Sequence, residues 1–304
     1  MTVIDPQPQP SGHPARSPAG SRLRVLAAAA LFSSGGAAIK AIHWNGWQVA
    51  CLRSAVATVA LLLFLPETRR RPTLRVLGVA AIYATTMILF VLSNKLTTAA
   101  SAVFLQSTAP LWVVLLSPWL LGERARARDL AFMAVLAVGM GCFFIGLDAA
   151  SVTAPHPLRG NLLAALSSLF WALTVMALRS LGRADRTGGG GGWGPASALW
   201  GNILASLFCL PWALPLGSSI VGTAVDWWTV AYLGVFQIAF AYAFLVRGLE
   251  EVRAVEASLL LLLEPVLNPV WAWIVHGERP GPWSLGGGAI ILAATAVKAW
   301  WDGR

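Results

Sequence analysis

Charge is what this 304-residue chain has least of. Only 12% of its residues are charged and 13 are acidic, against 57% that are hydrophobic. A soluble domain carries about twice that charged fraction, so the composition excludes an ordinary soluble protein and points to an integral membrane protein. Cysteine is nearly absent. Cys51, Cys142 and Cys209 each sit inside an apolar run without pairing or metal-ligand spacing, which leaves them as small packing residues. His43, His156 and His276 are isolated from one another, so no metal site and no catalytic constellation is expected. The small-residue runs Ser33-Ser34-Gly35-Gly36 and Gly286-Gly287-Gly288 neither follow a strand nor carry a phosphate-binding lysine. A phosphate-loop ATPase engine is therefore excluded, and these runs serve close helix approach instead. The net charge of +9 comes from basic residues scattered between apolar runs, which argues against nucleic acid as a partner.

What the chain does have is long apolar windows. A transmembrane helix needs about 20 mostly apolar residues, and ten windows satisfy this, near 23–42, 45–65, 74–94, 98–121, 128–147, 159–179, 196–215, 228–248, 254–275 and 284–301. Residues 1–21, rich in Pro, Ser, Gly and Gln, are expected to be a disordered cytoplasmic tail and not a signal peptide. Gly188–Gly192 reads as a flexible linker. With ten spans and a cytoplasmic N-terminus, 17 of the 22 Lys and Arg residues fall in inner segments, while Lys40, Lys95, Arg159 and Arg279 fall outside and Arg53 lies within the second window. That asymmetry predicts a multi-pass plasma (inner) membrane protein with both termini inside.

The windows also repeat. The stretch ending Pro110…Gly122-Glu123-Arg124 recurs as Pro265…Gly277-Glu278-Arg279 at a constant offset of 155 residues, shared by Ala99/Ala254 and Ala102/Ala257. One offset across an apolar run and its exit signal marks an internal repeat. Half of ten spans is an odd number, so the second copy enters the bilayer from the opposite side. Inverted repeats place a binding site near the midplane where the halves meet, and rocking exchanges its exposure. The expected fold is an all-α membrane protein of ten transmembrane helices, with repeats at 22–150 and 157–302.

The paired mid-helix prolines, the Gly-Glu exits, Leu263-Glu264-Pro265 and Arg53-Ser54 resemble the signature of EamA-type carriers of the drug/metabolite transporter superfamily, over roughly residues 23–301. The resemblance implies a secondary active or facilitative transporter, often an exporter, for an amino acid, a related metabolite or a toxic cation. A membrane channel and an intramembrane enzyme are the competing classes; no charge ring, carbonyl filter or catalytic cluster supports either. The expected partners are the bilayer, a small-molecule substrate and protons as coupling ion; no cofactor is expected, and monomer and homodimer are equally compatible.

Candidate residues follow from depth. Glu264 lies about ten residues into the ninth window, about 15 Å deep, where a lone carboxylate is costly unless paired, protonated or wet. It reads either as a coupling site or as half of a structural ion pair, and its counterpart in the first repeat is Ala109. Pro110 and Pro265 are candidate hinges. Arg53 is free to bind a substrate carboxylate, pair with Glu264 or snorkel outward; Asn202 occupies its aligned position. Gln106, Gln237 and Asn268 are polar at cavity depth, serving a substrate or helix association. Trp112, Trp171, Tyr83 and Tyr242 are deep aromatics that either line a cavity or pack. Glu123/Arg124 and Glu278/Arg279 read as helix-end pairs.

Overall fold

Backbone polar groups inside a bilayer must find partners within the chain, and helices achieve this segment by segment. The computed structural model describes residues 18–120, 127–188, 193–214, 221–249, 252 and 254–302, and it is helical almost throughout. Among the described residues nine helices are long and apolar enough to cross a membrane: Ala19–Ala41, Gly46–Phe64, Leu74–Leu96, Ala99–Leu120, Ala127–Ile145, Pro157–Leu178, Gly194–Ala213, Ala224–Gly248 and Leu259–His276. The tenth window forms the helix Pro282–Asp302. Helix begins at Pro18, so the last four residues of the expected tail are helical. Residues 1–17, Gly189–Gly192 of the linker and Gly122-Glu123-Arg124 lie outside the described residues.

Four of these spans are interrupted, and the interruptions divide them into α1 (Pro18–Ser33) and α2 (Gly35–Ala41), α5 (Ala99–Gln106) and α6 (Ala109–Leu120), and α12 (Ala254–Leu261) and α13 (Leu263–His276). In the fourth, α10 (Ala224–Tyr232) continues through a π-helical segment, Leu233–Phe240, into α11 (Ala241–Leu249). The remaining elements are α3 (Gly46–Phe64), α4 (Leu74–Leu96), α7 (Ala127–Ile145), α8 (Pro157–Gly188), α9 (Trp193–Ala213) and α14 (Pro282–Asp302). The breaks at Ser107 and Leu262 obey the repeat offset. They fall just before Pro110 and Pro265 because a proline cannot donate to the carbonyl four residues earlier, and its ring crowds that turn. The carbonyls of Gln106 and Leu261 are the ones released.

The two halves interlock instead of folding side by side. α4 packs on α8, α1 on α11, α3 on α9 and α7 on α14, each pair drawing one helix from either half. Close approach at the start of α8 depends on Gly160. A Cβ there would lie 2.6 Å from the Thr97 backbone nitrogen and 2.9 Å from the Leu96 carbonyl carbon. Backbone atoms cannot swing aside as a side chain can. Gly160→Ala is expected to lower stability by about 1–3 kcal/mol, measured as thermal melting in detergent. Gly141→Ala, whose Cβ meets nothing within 4 Å, is expected to leave melting unchanged.

Candidate functional site

At the α2 end of the bundle, polar side chains are buried and tied across elements. α13 closes at Gly277, whose φ of 64° lies in the left-handed region that glycine tolerates. Gly277 N–H donates to the Trp273 carbonyl at 2.8 Å and Glu278 N–H to that of Ala272 at 3.3 Å. The chain therefore doubles back and aims Glu278 into the bundle. Glu278 Oε2 accepts from the Ala99 N–H at 3.0 Å, one of the unpaired donors that open α5 and favour a carboxylate. Its Oε1 lies 3.4 Å from Lys40 Nζ, with the two side chains only 3% and 2% exposed. Lys40 also donates to the carbonyls of Thr97 and Thr153. Glu278 thus belongs to a lock joining α2, α5 and the exit of α13, and not to a helix-end pair with Arg279.

Two more carboxylates reinforce that end. Asp226 accepts from His43 N–H, Thr223 N–H and Thr223 Oγ1, each at 2.8 Å, fastening α10 to the loop after α2. Asp148 accepts from Gly281 N–H at 2.8 Å and Ser284 Oγ at 3.0 Å, fastening the loop after α7 to the start of α14. Lys95 donates to the Ile42 carbonyl.

The opposite end is built differently. α5 packs against α13 at the locked end, yet among the described residues their continuations α6 and α12 make no extended contact with each other. α6 leans on α7 and α8, while α12 leans on α1 and α14. Arg22 and Glu256 form an ion pair there, but both belong to the α1–α12 side. Among the described residues α6 and α12 thus pack on different neighbours at the end away from Lys40.

Mid-depth residues join the helices across their seams. Gln106 Nε2 donates to Ser167 Oγ at 2.9 Å, and Trp112 Nε1 to Ser168 Oγ at 2.8 Å, binding the broken helix α5–α6 to α8. On the other side Trp271 Nε1 donates to Ser33 Oγ at 2.9 Å, and Ser34 Oγ meets Tyr232 Oη at 2.8 Å. A tryptophan of each proline-broken helix thus grips a serine of its neighbour. Trp112→Phe is expected to loosen the first seam by about 1 kcal/mol, read as earlier melting that Ser168→Ala in the same chain does not deepen.

Arg53 and Glu264 form no ion pair among the described residues. Arg53 is 1% exposed, its Nη2 donates to Met87 Sδ at 3.3 Å, and Tyr83 and Cys209 are its electrostatic neighbours. Tyr83 lies beside the amide of Asn202 and against Gly201, where a Cβ would come within 2.4 Å of its ring. Tyr242 is in turn close to Tyr83. The structure thus gathers Arg53, Tyr83 and Asn202 where α3, α4 and α9 meet, with Tyr242 near Tyr83. Glu264 stands apart, half-buried in the first turn of α13, with no ion pair among the described residues. Gln237 and Asn268 are buried against the paired glycines of α2: a Cβ on Gly35 would lie 2.9 Å from Gln237 Nε2, and one on Gly36 2.7 Å from Asn268 Oδ1. Trp171 is half-buried on α8, three residues beyond Ser168.

Comparison with known proteins decides the family. The profile of the EamA-like transporter family matches residues 22–147 and again 158–299. The chain belongs to the EamA-like transporter family. It is 27% identical over 277 residues to an uncharacterized transporter of Archaeoglobus fulgidus, across 91% of this chain and 94% of that one. It is 26% identical over 261 residues to the uncharacterized transporter YdfC of Bacillus subtilis, across 81% and 79%. A solved chain titled only "Crystal structure of protein" shares its fold, with a TM-score of 0.61, 20% identity and coverage of 95% and 100%. Membership in this family, with nine membrane-length apolar helices among the described residues, makes the chain a multi-pass membrane protein and a transporter.

The lock was missed in the sequence. Lys40 counted only as a charge outside the membrane, and Glu278 only as a helix stop. The available signal was Lys40 itself, the one cation in a run of apolar residues that follows Gly35-Gly36.

Proposed function

We propose that this EamA-like transporter moves a small metabolite by alternating access, and that the structure is its inward-open conformer. The observation that carries the reading is the asymmetry of the two ends: a buried lock at the Lys40 end, and at the other no extended contact between α6 and α12 among the described residues. The distribution of Lys and Arg assigns the locked end to the outside and both termini to the cytoplasm, in the plasma (inner) membrane, with α14 as the tenth span. Proline-released carbonyls on both broken helices give the halves hinges about which to rock. A half-buried, unpaired Glu264 supports proton coupling, and the direction consistent with an inward-open resting state is export. The chain works as a monomer or homodimer.

Counterflow in proteoliposomes tests this. Saturable uptake of labelled substrate that requires unlabelled substrate inside is the expected result. Ohmic conductance would establish a channel, and formation of a chemically altered product an intramembrane enzyme.

A further inference from the structure

At the end away from Lys40, Arg22 pairs with Glu256 and Lys298 with Asp129. The turn from α3 to α4 departs from that pattern. Residues 66–75, Pro-Glu-Thr-Arg-Arg-Arg-Pro-Thr-Leu-Arg, carry four arginines against the single acid Glu67, a net charge of +3. Arg69, Arg70, Arg71 and Arg75 are all exposed, and neither Arg71 nor Arg75 has an ion pair among the described residues. The turn that carries them is fixed. Buried Thr68 donates through Oγ1 to the Leu65 carbonyl at 2.7 Å, and Arg69 Nε donates to the Leu62 carbonyl at 2.8 Å. Trp200 Nε1 on α9 donates to the Arg70 carbonyl at 3.2 Å, and Thr73 Oγ1 caps α4 by accepting from the Val76 N–H. Like charges held close repel. Arg75 also lies in the first turn of α4, beside the positive end of the helix dipole, where a cation is unfavourable. The arrangement costs stability unless an anion sits among the guanidinium groups.

The flanking residues select among anions. Leu63 and Phe64 close α3, Leu74 opens α4, and all three are exposed. Apolar surface thus borders the arginines on both sides of the turn. A phospholipid uses both features, its phosphate at the level of the guanidinium groups and its acyl chains against the apolar side chains; a soluble anion uses the charge alone. We propose that the α3–α4 turn binds the headgroup of an acidic phospholipid in the cytoplasmic leaflet. The leaflet rests on the orientation proposed above; the site does not. Guanidinium groups grip phosphate oxygens through paired, charge-assisted hydrogen bonds, and basic clusters beside a membrane span draw anionic lipid to them.

The test titrates purified protein in neutral detergent with dioleoyl phosphatidylglycerol, with dioleoyl phosphatidylcholine and with inorganic phosphate. Bound lipid is counted by native mass spectrometry, beside thermal melting. Phosphatidylglycerol is expected to bind at least tenfold more tightly than phosphatidylcholine and to raise the melting temperature, while inorganic phosphate does neither. Arg71→Gln with Arg75→Gln weakens phosphatidylglycerol binding about 30-fold, at about fivefold for each arginine. Arg159→Gln with Arg247→Gln removes the same net charge from exposed positions elsewhere and leaves binding unchanged. Equal binding of the two lipids, or equal weakening by both double variants, overturns the site. Inorganic phosphate binding as tightly as the lipid overturns the lipid assignment in favour of a soluble anion. Transport enters none of these readouts, so a failed counterflow assay leaves the site standing. Glu67→Cys, in a chain whose three native cysteines are replaced, is expected to resist an impermeant maleimide applied to intact cells; labelling there would overturn the leaflet and the orientation together.

Discussion

Glu278→Ala is expected to open the Lys40 end. The substitution leaves a buried ammonium with carbonyl partners but no counter-charge, and removing one partner of a buried ion pair costs about 3–5 kcal/mol. The cost is not shared evenly between conformers. Lys40, Ala99 and Thr153 lie on α2, α5 and the loop after α7, and Glu278 meets all three only while that end is shut. In an open conformer Lys40 reaches water and needs no partner. The loss therefore falls on the closed conformer alone, and about 3 kcal/mol shifts the balance about 100-fold. A cysteine placed at Ala37, 4% exposed on α2, in a chain whose three native cysteines are replaced, reports the shift. Labelling by a membrane-impermeant maleimide from the Lys40 side is expected to accelerate by about 10- to 100-fold. Exchange slows in step, because a carrier that seldom closes outside completes few cycles. Lys40→Met with Glu278→Leu removes both charges, and replacing a buried pair by apolar groups is near neutral, so labelling returns toward the wild-type rate. An unchanged rate in Glu278→Ala would show that the lock does not hold that end closed.

The architecture was legible in the sequence because its causes are periodic. Apolar windows of bilayer length and a constant 155-residue offset needed only counting, and the two helix breaks seen at Ser107 and Leu262 are related by that same offset. The π-helical segment at Leu233–Phe240 left no such trace, since its residues are as apolar as any neighbour's. Partner choice was the part that spacing could not reach. Arg53 and Glu264, coupled by reasoning about depth alone, are not partners, because depth fixes a coordinate along the membrane normal but not the azimuth of a side chain. The same limit hid the lock, where Lys40 and Glu278 are 238 residues apart in sequence and meet only because α2 and α13 pack at one end.

Glu264→Gln is the other substitution with a large expected effect, on coupling and not on folding. Glu264 occupies the first turn of α13, just past the break at Leu262, where the helix reorients if the halves rock. Its repeat counterpart Ala109 is 5% exposed at the matching break, so neither the fold nor the hinge needs a carboxylate at this position. With no ion pair among the described residues, a charged Glu264 is costly at this depth, and the proposed coupling has it neutralised by taking up a proton. Glutamine reproduces the protonated acid in shape and charge while fixing it in that form. Accumulation of substrate driven by a proton gradient is therefore expected to fall tenfold or more, about 1.4 kcal/mol of lost coupling at least. Counterflow, which moves no net proton, persists, and melting stays within about 0.5 kcal/mol of wild type. Glu264→Asp, able to titrate from a shorter stem, retains part of the accumulation. Loss of monodisperse protein in Glu264→Gln, or equal loss of counterflow and accumulation, would assign the carboxylate to the scaffold.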